Sequence, residues 1–297
     1  MSTFQPGQAT VFHAASEIAQ LTRAWRKLAR PVVLVPTMGA LHAGHLSLVT
    51  QAKRIPGALV VVSIFVNPTQ FGPSEDLAAY PRTLETDVEK LRAIGADAVF
   101  APAAEEMYPH GPRTMITPGP LGDILEGASR PGHFAGMLTI VHKLMQLSHC
   151  THAIFGEKDY QQLLLVQQMV TDLNLDVQVI GSAIVRETDG LALSSRNAYL
   201  STEQRELALT LSAALTAGAY HAGQGPEAVL AAAQAVLEAQ PSIAVDYLEL
   251  RGAQLGDVDP RGANRLLVAA RIGSTRLLDN VGIDFGSEEV TGQPRPS

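Results

Sequence analysis

Hydrophobic positions in the first half of the chain switch repeatedly between the period of a helix and the short apolar runs of buried strands. Ile18, Leu21, Trp25 and Leu28 recur at helical spacing, and Gly95 ends another helical pattern. The pattern predicts helices at 13–28, 43–53, 83–94, 136–147 and 159–173, separated by strands at 32–35, 59–66, 97–102, 152–156 and 176–180. Alternation of helices with wholly apolar strands is typical of a parallel sheet covered on both faces.

The pattern changes after position 183. Two Ala-rich helices are predicted at 203–221 and 226–239, and three strands follow at 244–250, 265–270 and 275–283. We therefore predict an α/β chain in which a Rossmann-like, doubly wound parallel sheet forms domain 1–183 and a smaller α+β C-terminal domain forms residues 184–297. A length of 297 residues fits one large domain and one smaller one.

Composition and charge narrow the range of possible functions and locations. The net charge is −7 and the sequence has no Lys/Arg run, which argues against a nucleic-acid-binding surface, so an anionic substrate needs a local basic pocket. The longest apolar run, ALVVVSIFV, is too short to span a membrane, and the first twenty residues lack the features of a signal peptide. The single cysteine, Cys150, excludes an internal disulfide, and we expect a cytoplasmic protein.

The stretch VPTMGALHAGHLSLVTQAK places His42 and His45 three residues apart, directly after what we predict to be the first strand of the sheet. Ligands of doubly wound sheets bind at the carboxyl ends of strands, and helix N-termini there favour phosphate. Because Gly39 and Gly44 allow close backbone approach, we predict that the two imidazoles donate to phosphate oxygens. The simpler alternative is a capping histidine beside a surface histidine. Zinc binding is disfavoured, because neither an HExxH motif nor a cysteine pair is present.

Two further clusters lie at the ends of predicted strands. In FGEKDYQQ, Gly156 permits close approach, Lys158 supplies a positive charge, and Asp159 can accept from a ribose hydroxyl or simply cap the next helix. In FVNPTQF, the neutral amides of Asn67 and Gln70 suit hydroxyls and carboxylates, and the alternative is ordinary turn chemistry.

A last cluster, LALSSRN, lies near the predicted domain junction. Its two hydroxyls and one guanidinium belong to Ser194, Ser195 and Arg196. Together they can grip a phosphate, and the alternative is a polar loop.

Five motifs in order resemble the pantoate–β-alanine ligase (pantothenate synthetase) family. They are PTMGALHAGHLSLV, VSIFVNPTQFGPSEDLAAYPRTLETD, RPGHFAGMLTIVHKL, FGEKDYQQ and DGLALSSRNAYLS, and the similarity resumes in DYLELR and RLLVAARIGSTRLLDN. The resemblance therefore covers nearly the whole chain. Within the wider group of adenylyl-transferring enzymes, HAGH resembles the HIGH motif and LSSRN resembles a counterpart of KMSKS.

The resemblance implies an ATP-dependent ligase of pantothenate biosynthesis. The pantoate carboxylate would attack the α-phosphate of ATP, giving pantoyl adenylate and pyrophosphate, and the amine of β-alanine would then attack the acyl carbon and release AMP. ATP, accompanied by Mg²⁺, is thus a substrate, and the implied assembly is a homodimer.

The resemblance also assigns residues to the substrates. The implied catalytic residues are His42, His45, Lys158 and Arg196. The implied ATP site comprises Met38, Gly39, His42, His45, Gly156, Lys158, Asp159, Val185, Leu193, Ser194, Ser195 and Arg196. Gln70 and Gln162 would hold pantoate, with Asn67 beside the chemistry of the second step.

The chain departs from the family pattern at three places. Thr69 and Leu193 stand where many members have methionine, and Thr69 could alter the pantoate pocket. Thr86, Asp87 and Lys90 stand where some members have two adjacent acids and a glutamine, which weakens the expectation of a protein-bound metal. Asp87 is the one candidate metal ligand, and its alternative is a solvated charge near a helix N-terminus.

Two other functions are open. A nucleotidyltransferase that moves AMP onto a phosphate monoester would need a basic cradle where this chain carries Asn67, Gln70 and Gln162. A non-catalytic nucleotide sensor would lack the phosphate grip of Lys158 and Arg196, and both residues are present. These features favour the ligase.

Overall fold

The computed structural model describes residues 4–72 and 77–286, so positions 73–76 of the second quoted motif lie outside the described residues. The helices are α1 (Ala15–Lys27), α2 (Ala43–Ala52), α3 (Leu84–Ala93), α4 (Ala104–Met107), α5 (Glu126–Ser129), α6 (His133–Ser148), α7 (Tyr160–Asp172), α8 (Thr202–Tyr220) and α9 (Pro226–Glu238). The strands are β1 (Thr10–Phe12), β2 (Val32–Thr37), β3 (Leu59–Ile64), β4 (Ala98–Phe100), β5 (His152–Gly156), β6 (Gln178–Ser182), β7 (Ile243–Gly252), β8 (Ala263–Ile272) and β9 (Thr275–Asp284).

Six parallel strands form the larger sheet, in the order β1-β4-β3-β2-β5-β6. β2 is central, because Val33 pairs with Val60 of β3 on one side and with His152 of β5 on the other. The strand order reverses between β2 and β5, and the turns after these two strands border the crevice in which such sheets bind ligands. The predicted α/β class with a doubly wound parallel sheet is confirmed.

The uniformly apolar sequence of β2 is explained by burial on both faces of the sheet. Val32 and Leu34 join an apolar cluster with α1, α6 and α7, whereas Val33 and Val35 join a second cluster with α2 and α3. Full burial of one such side chain contributes about 1.5–3 kcal/mol. The sheet is therefore a well-packed frame for the turns at its carboxyl edge.

The strand before His42 is the second along the chain, so the prediction that it is the first was wrong. β1 precedes it and pairs with β4, where Thr10 lies opposite Ala98. A strand of three residues offers too few positions for a periodic pattern. Periodicity gives no sign of α4 and α5 for the same reason.

The chain divides into two compact units. The first comprises Met1–Val185 and Leu193–Ser195, and the second comprises Arg186–Ala192 and Arg196–Ser297. In the second unit, α8 and α9 pack on an antiparallel sheet of order β7-β8-β9, which confirms the predicted α+β composition of this part. Arg186 fastens the first segment of this unit to β9 through two hydrogen bonds of 2.6 and 2.9 Å to the buried carboxylate of Asp279. Within residues 4–72 and 77–286, no helix has the length and apolar character needed to cross a membrane.

Candidate active site

His42 and His45 cap the helix that follows the central strand. The imidazole Nδ1 of His42 accepts the Gly44 N–H at 3.2 Å. The Nδ1 of His45 accepts the His42 N–H at 3.4 Å, which completes a capping box built from two histidines. The two rings lie with their centroids 4.1 Å apart. The simpler alternative is therefore correct that His42 is a cap, but His45 is not a separate surface residue, because its ring packs against the cap.

These contacts fix which ring nitrogens carry protons. A nitrogen that accepts an N–H has no proton of its own, so each ring carries a proton on Nε2. Burial, followed by the electrostatic influence of the neighbouring His42 ring, lowers the pKa of His45 to about 3. Lys158 and Lys90 lower this pKa further and Asp159 raises it, which places three charged side chains near the ring. His45 is thus neutral at physiological pH and can still donate from Nε2.

The sequence predicts that backbone N–H groups at this helix N-terminus face a phosphate, but two of them already have acceptors within the turn. The Gly44 N–H is taken by His42 Nδ1, and the His45 N–H donates to the His42 carbonyl at 2.9 Å. A Cβ on Gly44 would lie 2.9 Å from the His42 ring, so the ring itself requires glycine there. Imidazole Nε2–H groups, more than helix amides, are therefore the donors that this turn offers to an anion.

The turn between β2 and His42 has an unusual backbone. Gly39 (φ 85°) and Ala40 (φ 51°) are both left-handed. This conformation costs a residue such as alanine about 1–2 kcal/mol. Asp87 of α3 holds the turn, because its carboxylate accepts the Ala40 N–H at 2.9 Å and the Leu41 N–H at 2.8 Å. A Cβ on Gly39 would lie 3.2 Å from the same carboxylate, which explains the glycine.

Asp87 fits neither expectation drawn from the sequence. Its side chain is fully buried, so the alternative of a solvated helix charge is wrong. Its Oδ2 also accepts the Thr83 hydroxyl at 3.0 Å, so both carboxylate oxygens are engaged by the protein. Among the described residues, no three His, Cys, Asp or Glu side chains converge as metal ligands do. The contacts of Asp87 therefore do not fit a protein-bound Mg²⁺.

The cluster of Gly156, Lys158 and Asp159 lies at the end of β5 and directly after it. Gly156 ends the strand, and a Cβ added to it would meet no described atom within 4 Å. The Lys158 side chain is 20% exposed, and its ammonium lies 3.6 Å from the carboxylate of Asp159. Asp159 occupies the N-cap position of α7, as the alternative expected, but its side chain makes no capping hydrogen bond. The influence of both residues on the pKa of His45 agrees with the neighbouring positions of β2 and β5.

The motif LSSRN begins in the first unit and ends in the second. The Leu193 N–H donates to the Val185 carbonyl at 3.0 Å. Leu193 Cβ lies 3.6 Å from the position that a Cβ on Gly44 would take, so this leucine borders the histidine turn. The first unit contains Leu193–Ser195, and Arg196 belongs to the second. The structure therefore brings part of this motif to the histidines, and the phosphate contact of Arg196 stays a prediction.

A linked polar group follows β3. Asn67 Nδ2 donates to Gln70 Oε1 at 3.2 Å, and Gln70 Nε2 donates to the Met38 sulfur at 3.1 Å. A thioether is a weak acceptor, so Gln70 can exchange this bond for one to a substrate oxygen. Asn67 is 1% exposed and caps the 3₁₀ turn Pro68–Gln70 by accepting the Thr69 N–H. Turn chemistry thus describes Asn67, which orients Gln70.

Sequence reasoning missed the residues that support Gln70. His133 Nδ1 donates to the Gln70 carbonyl at 2.8 Å, and its Nε2 lies 3.0 Å from Arg130 Nη1. A Cβ on Gly136 would lie 2.2 Å from the Thr69 carbonyl oxygen, so α6 packs directly on the 3₁₀ turn. The available signal is the polar His133 ahead of the apolar run FAGMLTIV, because a buried histidine requires hydrogen-bond partners.

Thr69, one of the departures from the family pattern, joins this polar group. Its hydroxyl donates to Asn67 Oδ1 at 3.0 Å and lies 3.4 Å from the Tyr108 hydroxyl. Tyr108 also donates to Asn67 Oδ1 at 3.0 Å, and burial raises the pKa of this tyrosine. Threonine at this position therefore places a hydrogen-bonded hydroxyl next to the residues that orient Gln70.

Two adjacent glutamines at the start of α7 have different surroundings. Gln161 is 3% exposed, and its Oε1 accepts the Glu126 N–H at 3.0 Å. Its Nε2 donates to the carbonyls of Leu121 and Ile124 at 2.7 and 2.9 Å. Gln162, predicted to bind pantoate, is partly exposed. Gln161 therefore fastens the neighbouring loop, whereas the Gln162 side chain is accessible to solvent.

Comparisons with known proteins converge on one family. The family model for pantoate-beta-alanine ligase matches residues 10–282. The chain is 68% identical over 285 residues to the pantothenate synthetase of Corynebacterium jeikeium (strain K411), which covers 96% of this chain and 93% of that protein. Its identity to the pantothenate synthetase of Mycolicibacterium smegmatis is 60% over 293 residues, covering 98% and 93% respectively.

Solved structures of the same family are also similar to this chain. The crystal structure of pantothenate synthetase from Thermus thermophilus has a TM-score of 0.85 at 46% identity, covering 92% of this chain and 98% of that one. The pantoate-beta-alanine ligase of Francisella tularensis, solved in complex with beta-gamma ATP and β-alanine, has a TM-score of 0.78 at 34% identity, covering 92% and 97%. The similarity therefore extends into both units of the chain.

Proposed function

This chain belongs to the pantoate–β-alanine ligase family, and we propose that it joins pantoate to β-alanine with ATP, giving pantothenate, AMP and pyrophosphate. The observation that carries the proposal is that one unit of the fold holds both the paired Nε2–H donors of His42 and His45 and the neutral amide of Gln70. The imidazole pair suits a triphosphate. The amide suits a small hydroxy acid.

In the first step, a carboxylate oxygen of pantoate attacks the α-phosphorus of ATP, and the bond to the bridging oxygen of the departing pyrophosphate breaks. Such a transfer depends mainly on positioning and on stabilising the charge that develops on the phosphate oxygens. His45 is the better donor to that charge, because its neutral ring keeps a proton on Nε2. His42 donates beside it, and Lys158 adds positive charge.

The remaining nucleotide contacts follow from the turns around the histidines. Gly156 leaves room for the nucleoside, and the half-exposed carboxylate of Asp159 accepts from the ribose. The rest of the proposed ATP site consists of Met38 and Gly39 beside the phosphates, Val185 and Leu193 near the adenine, and Ser194, Ser195 and Arg196 for pyrophosphate.

In the second step, the amine of β-alanine attacks the acyl carbon of pantoyl adenylate, and AMP leaves. Gln70 and Gln162 hold the hydroxyl groups of pantoate. Because both side chains are neutral, they do not neutralise the pantoate carboxylate, which stays nucleophilic for the first step. Asn67 acts through Gln70, to which it is hydrogen-bonded.

The proposal also covers the metal ion, the oligomeric state and the cellular compartment. Mg²⁺ enters as part of the ATP complex, because the contacts of Asp87 do not fit a metal ligand. The enzyme works as a homodimer, which light scattering on the purified chain would test. It works in the cytoplasm, where its single cysteine, Cys150, stays reduced.

The decisive experiment is exchange of labelled pyrophosphate into ATP. With pantoate and Mg²⁺ present and β-alanine absent, we expect exchange, because the adenylate forms before any amine is needed. Exchange that requires β-alanine would exclude the stepwise mechanism. Exchange that requires a phosphate monoester instead of pantoate would identify a nucleotidyltransferase. A folded sample that binds ATP without exchange under any condition would be a nucleotide sensor.

A further inference from the structure

Asp87 and Lys90 hold the histidine turn from a single helix, α3. Asp87 accepts the N–H groups of Ala40 and Leu41. Lys90 donates its ammonium to the Leu41 carbonyl at 2.7 Å, and the same ammonium lies 3.9 Å from Asp87 Oδ1. Both backbone hydrogen-bonding groups of Leu41 are therefore fixed from α3, directly before His42.

A buried carboxylate is costly unless hydrogen bonds and an opposite charge compensate it. Asp87 accepts three hydrogen bonds, from the Ala40 and Leu41 N–H groups and the Thr83 hydroxyl, and faces the Lys90 ammonium. Mg²⁺ would have to displace some of these donors, and it favours near-octahedral oxygen coordination that one carboxylate does not provide. Lys90 thus supplies the positive charge that this carboxylate requires.

We propose that Asp87 and Lys90 are positioning residues for the nucleotide, and that the Lys90 ammonium makes this support independent of a protein-bound divalent cation. The inference rests on the proposed function, because the turn matters through the phosphate contacts of His42 and His45. Without the ammonium, the Leu41 carbonyl loses its donor, and the two imidazoles lose their alignment. ATP binding weakens, whereas pantoate binding, which uses the separate amide group at Gln70, does not.

The chain offers a matched control. The Lys53 ammonium lies 3.5 Å from the buried carboxylate of Asp97, which accepts the N–H groups of Gly7 and Val60 at 2.8 Å each. This pair has the same construction as Lys90 with Asp87, but it fastens backbone other than the histidine turn. Lys53→Met therefore reports the general effect of removing an ammonium from a buried aspartate.

Binding of the β,γ-methylene analogue of ATP is measured by calorimetry in the full-length chain. Lys90→Met should weaken binding about tenfold or more and raise the ATP KM in parallel, because small misplacements of positioning groups have effects of this size. The pantoate KM should stay within about twofold, Lys90→Arg should restore most of the affinity, and Lys53→Met should bind normally. Equal affinities of the wild type and Lys90→Met would overturn the positioning role.

A second titration, of MgCl₂ into the protein without ATP, tests whether Asp87 and Lys90 hold the histidine turn without a bound divalent cation. We expect no saturable binding, and saturable binding that is lost in Asp87→Asn would overturn this part. The inference and the proposed function fail separately. No pantoate-dependent exchange in the wild type would reject the function, whereas intact exchange with unchanged analogue affinity in Lys90→Met would reject only the positioning role.

Discussion

His42 orients the ring of His45 through its own backbone: the His42 N–H donates to Nδ1 of His45, while Nδ1 of His42 accepts the Gly44 N–H in the first turn of the same helix. Both rings consequently carry a proton on Nε2. Two Nε2–H donors thus stand side by side in one helix turn. In the proposed reaction, both rings donate hydrogen bonds to phosphate from Nε2.

Loss of either imidazole should impair adenylate formation. One preorganised donor to a developing charge is worth about a hundredfold or more in rate, so His45→Ala should slow pyrophosphate exchange by about that factor, and His42→Ala similarly. His221→Ala is a suitable control, because that ring bonds to the Ala217 carbonyl in the second unit. Near-normal exchange in a folded His45→Ala protein would remove His45 from the mechanism.

The low pKa of His45 predicts acid sensitivity of the fold. Its pKa is about 3 in the folded chain against an ordinary value of 6.5, so between these pH values the unfolded chain binds a proton that the folded chain does not. This stability is complete above about pH 6.5 and falls as the pH drops toward 3, by up to about 1.4 kcal/mol per pH unit. Urea unfolding at several pH values checks this in the wild type and in His45→Asn, whose amide can still accept the His42 N–H. The same pH slope in both proteins would contradict the prediction.

Removal of the Lys158 charge should affect the rates of the two half-reactions to different extents. Lys158→Ala should slow adenylation more than attack of β-alanine on supplied pantoyl adenylate, because pyrophosphate has already left by the second step. Arg196→Ala should behave in the same way. Single-turnover assays of each step give the comparison, with the exposed Lys27→Ala as the control. Equal losses in both steps would argue against a phosphate contact.

Of the two adjacent glutamines in α7, Gln161 should contribute to stability and Gln162 to substrate binding. Gln161→Leu leaves the Glu126 N–H and two loop carbonyls without their partner, which costs roughly 1–3 kcal/mol for each buried group left unpaired. Gln162→Leu should leave the free energy of unfolding nearly unchanged and raise the pantoate KM. Urea unfolding and steady-state kinetics of the two variants test this, and a stable Gln161→Leu protein with a raised KM would reverse the assignment.

Gly136 should be intolerant of a single added methyl group. In Gly136→Ala the Cβ would lie 2.2 Å from the Thr69 carbonyl oxygen, so α6 must shift away from the turn that carries Gln70. We expect roughly 1–3 kcal/mol of destabilisation from overpacking, together with a raised pantoate KM. Gly223→Ala, whose Cβ would meet no described atom within 4 Å, should be close to neutral. Comparable thermal stability of both variants would contradict the packing argument.

The sequence predicts this fold well because its strands are buried on both faces and its helices are periodic. Local chemistry also identifies the histidine turn, since strand, glycines and imidazoles are adjacent in the chain. The environment of Asp87 could not be predicted in this way. Its hydrogen bond to Ala40 links positions 47 apart, and only the docking of α3 against that turn makes the aspartate buried. For the same reason the sequence does not distinguish Gln161 from Gln162.

The central position of β2 has a consequence for synthesis of the chain. The Val32 N–H donates to the Thr151 hydroxyl across 119 positions, so the strand that carries the histidine turn finds its second neighbour only after about half of the chain has been made. Until the ribosome has delivered the chain through Lys158, the histidine turn lacks that lysine, and one side of β2 presents an open edge. A ligand stabilises only the species that it binds. ATP in the cell should therefore protect finished molecules and give little help to stalled or truncated ones.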